Sequence, residues 1–192
     1  MSKIIFHIDV NSAYLSWEAV YRLQHGDTLD LRTIPSAVGG DPVKRHGIIL
    51  AKSHAAKPYK IQTGESLMAA FQKCPHLTVV PPHYDLYLRS SNALMELISE
   101  YSSQIQRYSI DECFVDFTDM VKLFGDPIQT AHIIRERIKK ELGFTVSIGI
   151  SSFAAKEKEP EKFLEKLLKS ADAALYEAKA SGRNRTVCGK TA

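Results

Sequence analysis

Tyr108-Ser109-Ile110-Asp111-Glu112-Cys113-Phe114-Val115-Asp116-Phe117-Thr118 is the stretch on which the fold turns. Ile105 to Ile110 and Glu112 to Phe117 read as two strands joined by a very tight turn around Asp111. The hairpin therefore carries two adjacent carboxylates, Asp111 and Glu112, at its tip. An ionised carboxylate held against a core is costly unless it is paired or holds a metal.

Working outward, Tyr84 to Tyr101 before the hairpin reads as a helix with Tyr87, Leu94, Leu97 and Ile98 on its apolar face. After it, Ile128 to Leu142 is an amphipathic helix carrying Ala131, Ile134, Ile138 and Leu142. Phe144 to Ile150 is a strand. Glu161 to Ala180 is a long helix with Leu164, Leu167, Leu168, Ala171, Leu175 and Ala178 as its stripe, and Arg185 to Cys188 closes the sheet as an edge strand. At the N-terminus, residues 4 to 10 (I-I-F-H-I-D-V) form a buried strand and Asn11 to Leu23 a helix ended by His25-Gly26-Asp27. Residues 27 to 45 read as loop and edge strand, Gly47 to Ala51 and Leu77 to Val80 as strands, and Glu65 to Lys73 as a short helix.

This order predicts an α+β fold, a ferredoxin-like palm of antiparallel sheet with helices on one face. Residues 1–10 and 77–192 make the palm, and residues 11–76 a small inserted lobe. Gly39-Gly40-Asp41 lacks the spacing of a phosphate loop and reads as a turn between strands.

The chain has 192 residues, 44% apolar and 24% charged, which suits one globular domain with an inserted lobe. Collagen, coiled coil and disorder are excluded by composition. The net charge of +3 permits a nucleic-acid partner without arguing for one. The visible basic clusters, Lys44-Arg45, Lys57–Lys60 and Arg183–Arg185, are short, and Lys156 to Lys162 is a polar loop and helix start. Cys74, Cys113 and Cys188 share no C-x-x-C spacing, so disulfides and structural zinc are not expected and a cytoplasmic setting fits. No apolar run reaches the roughly 18 residues of a membrane helix. None of the seven histidines lies in an H-x-x-x-H pair, and none is read as a metal ligand.

Asp9 stands near the end of the first strand. On adjacent central strands, Asp9, Asp111 and Glu112 converge at one sheet edge, where hard oxygen ligands suit Mg²⁺. Two such ions can activate a hydroxyl and stabilise a phosphoryl leaving group. The same residues also fit a helix cap, with Asp9 capping at Asn11, and a turn at Asp111.

Four segments carry a resemblance: F-H-I-D-V-N-S-A-Y-L-S-W-E-A, A-V-G-G-D-P-V-K-R-H-G-I-I-L-A-K-S, I-Q-T-G-E-S-L-M-A-A-F-Q-K-C-P and Y-S-I-D-E-C-F-V-D-F-T. Together, from residue 1 to about residue 152, they resemble the palm and fingers of a Y-family translesion DNA polymerase. The resemblance implies that Asp9, Asp111 and Glu112 are metal-binding catalytic carboxylates, with the Val10 carbonyl as a further ligand. It implies that Tyr14 is the steric gate beneath the sugar. A flat ring against C2′ leaves no room for a 2′-hydroxyl, although Tyr14 also fits as a helix-core residue. In S-H-A-A-K-P-Y-K-I-Q-T-G, which resembles the motif that grips the triphosphate, Lys57 falls where a cation meets the phosphates; it reads equally as a surface lysine. His54 falls where many members have a phosphate-contacting tyrosine, and Lys60 where glycine is usual.

From about residue 145 to 190, F-L-E-K-L-L-K-S-A-D-A-A-L-Y-E-A-K-A-S-G-R-N-R-T-V resembles the last helix and strand of a GGDEF diguanylate cyclase. That likeness implies phosphate contacts for Lys179 and Arg183, and a hybrid or chimeric chain. Helix C-capping by Lys179, Gly182 and Arg183 explains the same residues.

The first expected function is thus nucleotidyl transfer from a deoxynucleoside triphosphate to the 3′-hydroxyl of a primer, with two Mg²⁺ as cofactors and Mn²⁺ able to substitute. Translesion synthesis and DNA repair are its setting. The chain stops at Ala192 without a thumb or little finger, so primer–template DNA is expected to bind weakly, with weak or no activity in isolation. A cyclase-like enzyme joining two GTP molecules is the second expectation, weakened by the missing G-G-D/E-E-F hairpin and by Tyr14. A catalytically silent scaffold is the third.

Overall fold

The computed structural model describes residues 2–41, 46–154 and 160–189. In chain order the described elements are β1 (Ser2–Val10), α1 (Ala13–Gln24), β2 (Ser36–Asp41), β3 (His46–Lys52), α2 (Leu67–Lys73), β4 (Thr78–Val80), α3 (Tyr84–Ser99), β5 (Ile105–Arg107), β6 (Glu112–Asp116), α4 (Val121–Phe124), α5 (Pro127–Arg137), β7 (Val146–Ala154), α6 (Pro160–Ala180) and β8 (Thr186–Cys188). A 3-10 turn spans His54–Tyr59, and a π-type turn, Ile138–Leu142, extends α5. The chain divides into two compact units, residues 1–11 with 91–192, and residues 12–90. Residues 77–90, expected with the large sheet, cluster with the second unit instead.

The first unit holds a five-stranded sheet in the order β5-β6-β1-β7-β8. β1 is its central strand, antiparallel to both β6 and β7. A central strand covered on both faces reads as a near-continuous apolar run, which is why I-I-F-H-I-D-V gave the signal it did. β8 runs parallel to β7, with Ile148 opposite Thr186. Parallel neighbours need a crossover, and α6 is that crossover. The sheet is therefore mixed at one edge, not wholly antiparallel.

Directly opposed residues share a face. His7 opposes Phe114 and Gly149, and Asp9 opposes Glu112 and Ser147, so these six line one face. Phe6, Ile8, Cys113, Val115 and Ile148 line the other and are wholly buried. Each such side chain contributes about 1.5–3 kcal/mol. α6 lies over the first face. A Cβ on Gly149 would stand 2.2 Å from the Ala171 carbonyl oxygen and 2.5 Å from the Leu175 nitrogen. Ala171, Ala174 and Ala178 are buried on the helix and are small enough to permit that approach. α6 thus covers the face of His7 and Gly149, and the opposite face is buried as well. Leu167 and Leu175 are buried as expected, and Leu168 is half-buried. The side chain of Leu164, the basic pair Lys44-Arg45 and the run Lys156 to Lys162 lie outside the residues so described.

The helix expected over 128–142 is present, as α5 continued by the π-type turn, and both its ends have a local cause. Asp126 caps α5, its Oδ1 accepting from the Gln129 N–H at 2.8 Å, with Pro127 in the first turn. At the other end the helix widens into the π-type turn and stops at Gly143, φ 78°.

The second unit has a three-stranded sheet in the order β3-β2-β4. Three expectations are corrected here. β4 pairs parallel to β2 and does not enter the large sheet. β2, expected as loop and edge, is the central strand. Gly39 and Gly40 belong to that strand, with register shifts on either side of Gly39, and not to a turn. A Cβ on Gly40 would stand 2.3 Å from the His46 carbonyl oxygen, so two backbones meet where only glycine fits. The apolar core of this unit is Ala37, Ile49, Ala56, Ile61, Leu67, Ala70, Cys74 and Leu77.

Lys60 ends the 3-10 turn with φ 56°, its N–H donating to the Lys57 carbonyl at 2.9 Å. A left-handed L-residue costs roughly 1–2 kcal/mol, part of which glycine returns through its freer unfolded chain. Lys60→Gly should therefore stabilise the protein by roughly 0.5–1 kcal/mol, read as a higher urea midpoint. A midpoint that falls would show that the Lys60 side chain contributes more than its backbone costs.

Candidate functional site

The site begins with strand register. Asp9 lies opposite Glu112 across β1 and β6, and the Val10 N–H donates to the Asp111 carbonyl at 2.9 Å. The turn is held by the Tyr108 and Ser109 N–H groups, both donating to the Glu112 carbonyl at 2.9 and 3.1 Å. Thus Asp9, Val10, Asp111 and Glu112 are brought together at one end of the sheet by backbone bonds alone.

Each carboxylate has an internal partner. Lys179 Nζ, from α6, stands 2.8 Å from Asp9 Oδ2. The Ser109 hydroxyl donates to Asp111 Oδ1 at 2.7 Å. Glu112 pairs with the imidazole of His7. Burial pushes Asp9 up to about 6; the Lys179 ammonium opposes the rise, and the Asp111 and Glu112 charges add to it. Burial also lowers His7 below the usual imidazole value, against the pull of Glu112.

Asp9 does not cap a helix. The N-cap of α1 is Ser12, in the left-handed region at φ 51° with no side-chain cap bond. Asn11 instead ties strands together, donating to Thr145 Oγ1 at 3.0 Å and accepting from the Ser147 hydroxyl at 2.9 Å. Among the described residues, no three His, Cys, Asp or Glu side chains are grouped closely enough to hold an ion as placed. The donor chemistry still fits a divalent cation. Three carboxylates and a carbonyl are all hard oxygen ligands, and a buried carboxyl raised by two like neighbours is one that a second positive charge relieves.

Arg183 lies just beyond α6. Its N–H donates to the Ala178 carbonyl at 3.0 Å, with Gly182, Arg183 and Asn184 all at positive φ. The backbone here is a helix cap; the Arg183 side chain is half-buried. Tyr14, His54 and Lys57 belong to the second unit. Tyr14 is half-buried and stacks on Tyr87, ring centroids 4.7 Å apart at 11°. Tyr87 is fully buried, as is Glu18, which pairs with Arg22 at 2.9 Å and His83 at 3.0 Å. His54 opens the 3-10 turn and Lys57 follows in it, both exposed.

Sequence reasoning missed His7. Its signal was present: it precedes Asp9 by two positions, so the strand puts both on one face. It stacks on Phe114 at 4.0 Å, and its Nδ1 is 3.7 Å from Asp172 Oδ1 on α6.

A palm-type sheet with carboxylates at the adjoining ends of its two central strands is the class defined by these features. The family described as impB/mucB/samB matches residues 8–156, and the chain belongs to it. DNA polymerase IV of Clostridium acetobutylicum is 52% identical over 152 residues, covering 79% of this chain and 38% of that protein. DNA polymerase IV of Acetivibrio thermocellus is 42% identical over 151 residues, covering 79% and 36%. DNA polymerase IV 1 of Bacillus subtilis is 37% identical over 166 residues, covering 86% and 36%. The chain therefore spans less than two fifths of the length of these relatives. Among solved structures, a Y-family DNA polymerase chimera overlays with a TM-score of 0.74 at 22% identity, covering 96% of this chain and 48% of that one. DinB from Sulfolobus solfataricus overlays at 0.72 and 21%, covering 98% and 48%.

These overlays concern fold, and their extent bears on the C-terminal segment. With 96% or more of the chain covered, α6 and β8 fall largely inside a Y-family overlay. The segment resembling a diguanylate cyclase thus has a counterpart in the polymerase fold, and the comparisons give no support to a cyclase-derived end or a chimera. Among the described residues, no helix is long and apolar enough to cross a membrane.

Proposed function

We propose that this chain is the palm and fingers of a Y-family DNA polymerase and catalyses transfer of a deoxynucleotide to the 3′-hydroxyl of a primer. The observation that carries this reading is the convergence of Asp9, Asp111 and Glu112 at one sheet end, with the cation Lys179 beside them. In the reaction the 3′-hydroxyl loses its proton to solvent as its oxygen attacks the α-phosphorus, the bond to the bridging oxygen breaks, and pyrophosphate leaves. Asp9, Asp111, Glu112 and the Val10 carbonyl would hold two divalent cations, Mg²⁺ or Mn²⁺. Such ions supply Lewis-acid activation of the hydroxyl and charge stabilisation of the leaving group.

The chain's own residues do the rest. Lys179 and Arg183 would offer positive charge to the phosphate oxygens of a bound nucleotide. In the second unit, His54 and Lys57 present a donor and a cation from an exposed turn, suited to a triphosphate. Tyr14, backed by the buried Tyr87, offers a rigid ring whose bulk excludes a 2′-hydroxyl. Support also comes from the family to which the chain belongs and from relatives named DNA polymerase IV.

The test is extension of a labelled primer on a template with deoxynucleotides and Mg²⁺, run beside GTP turnover to cyclic dinucleotide. Extension without GTP turnover supports the proposal. Cyclic dinucleotide without extension would replace it, and neither product would leave a binding scaffold. If Tyr14 is the gate, Tyr14→Ala should raise use of ribonucleotides relative to deoxynucleotides by at least about tenfold, the equivalent of ~1.4 kcal/mol. An unaltered sugar preference would return Tyr14 to a packing role against Tyr87.

A further inference from the structure

We infer that Lys179 is the resident counter-ion of the carboxylate site: its ammonium holds Asp9 while no divalent cation is bound, and a divalent cation enters by displacing it. The inference rests on Asp9 being a metal ligand. It adds that metal binding is an exchange of one positive charge for another.

The geometry is specific. Lys179 Nζ lies 2.8 Å from Asp9 Oδ2, with the carboxylate largely buried and the lysine side chain about one-third exposed. The ammonium thus reaches inward to a nearly buried acid while its stem stays at the surface, where it can swing away. The helix position is fixed by packing, since Gly149 lets the α6 backbone rest on the sheet at Ala171 and Leu175. Two turns further on, that close approach delivers Lys179 to the end of β1.

Among the described residues, the charges that act on Asp9 include Asp111 and Glu112 from the hairpin and, as a cation, Lys179 from α6. Glu112 and Asp111 are engaged by His7 and Ser109. The three acids are each satisfied without metal, which lets the metal-free chain keep like charges together at a sheet edge. A divalent ion held by the same carboxylate would set a second positive charge beside the ammonium. Two cations so placed repel, at partial burial, by more than an exposed ion pair gains. The lysine must leave.

The test is Mn²⁺ affinity by electron paramagnetic resonance, with thermal unfolding in chelator and in Mn²⁺. Lys179→Met keeps the length of the stem and removes the charge. It should bind Mn²⁺ about five- to tenfold more tightly than the parent. It should also melt lower in chelator, because Asp9 loses its partner, and recover more than the parent when Mn²⁺ is added. Lys179→Arg keeps the charge and offers a fork that grips a carboxylate in two places. It should bind Mn²⁺ no better than the parent, and it keeps the test usable if Lys179→Met does not fold. Parent-like or weaker Mn²⁺ binding by Lys179→Met, at a site lost in Asp111→Ala, would overturn this inference and leave the metal reading standing. A parent chain that binds no Mn²⁺, or binds it regardless of Asp111, would overturn both.

Discussion

Gly149→Ala should unfold this protein more readily than most single-methyl additions. The added carbon would stand 2.2 Å from the Ala171 carbonyl oxygen, 2.5 Å from the Leu175 nitrogen and 3.0 Å from the Leu175 Cα. All three are helix backbone, so no side chain can turn aside; α6 must lift or β7 must bend. Overpacking of a well-filled interior costs typically 1–3 kcal/mol and sometimes more, and a rigid neighbour puts this case at the upper end. For a chain of this size about 3 kcal/mol lowers the melting temperature by roughly 6–12 °C. The sign is diagnostic, because alanine in place of glycine in a strand is otherwise favourable. Thermal unfolding and amide exchange at Ile148 and Ile150 check it, since both flank the contact. A melting temperature at or above the parent value would mean that α6 does not rest on the sheet at Gly149.

That contact shows where the sequence was legible and where it was not. The central strand, the hairpin and the buried stripe of α6 came from local pattern: apolar runs, a tight turn and helical spacing. Partners across the sheet are a different kind of information. Thr78–Val80 looks the same as a strand whether it joins one sheet or another. Its register against Ser36, Ala37 and Val38, with the Thr78 N–H donating to the Pro35 carbonyl, assigns it to β2. Gly39-Gly40 suggested a turn because glycine commonly marks one, yet the competing reason for glycine, close approach of two backbones, applies here. At the site, Asp9, Asp111 and Glu112 were legible because charge at the end of an apolar strand is conspicuous. His7 was not, because a histidine within a strand carries no such contrast. The Lys179–Asp9 pair joins residues at opposite ends of the chain, and no spacing rule connects them.

Asp111→Ala should remove divalent-metal binding and nucleotidyl transfer while leaving the fold in place. The loss follows from the donor set, since one of three carboxylates is deleted and the remaining pair cannot neutralise two divalent ions. Transfer should fall by at least about a thousandfold, or several kcal/mol of transition-state stabilisation. The fold should survive because the turn is held by backbone. The Val10 N–H keeps the residue 111 carbonyl, and Tyr108 and Ser109 keep that of Glu112. The one side-chain bond lost is from Ser109, whose hydroxyl can turn to water at a cost of about 1 kcal/mol or less. Against that small cost stands relief of like charge, because the Asp111 carboxylate is one of the groups that push Asp9 up. In chelator the variant should therefore melt within a few degrees of the parent, on either side. In Mn²⁺ the parent should gain stability by mass action and the variant should not. The two curves together separate a ligand from a structural residue. A variant that melts with the parent in chelator and is stabilised equally by Mn²⁺ would remove Asp111 from the metal site; one that collapses in chelator would show the side chain to be part of the hairpin's framework.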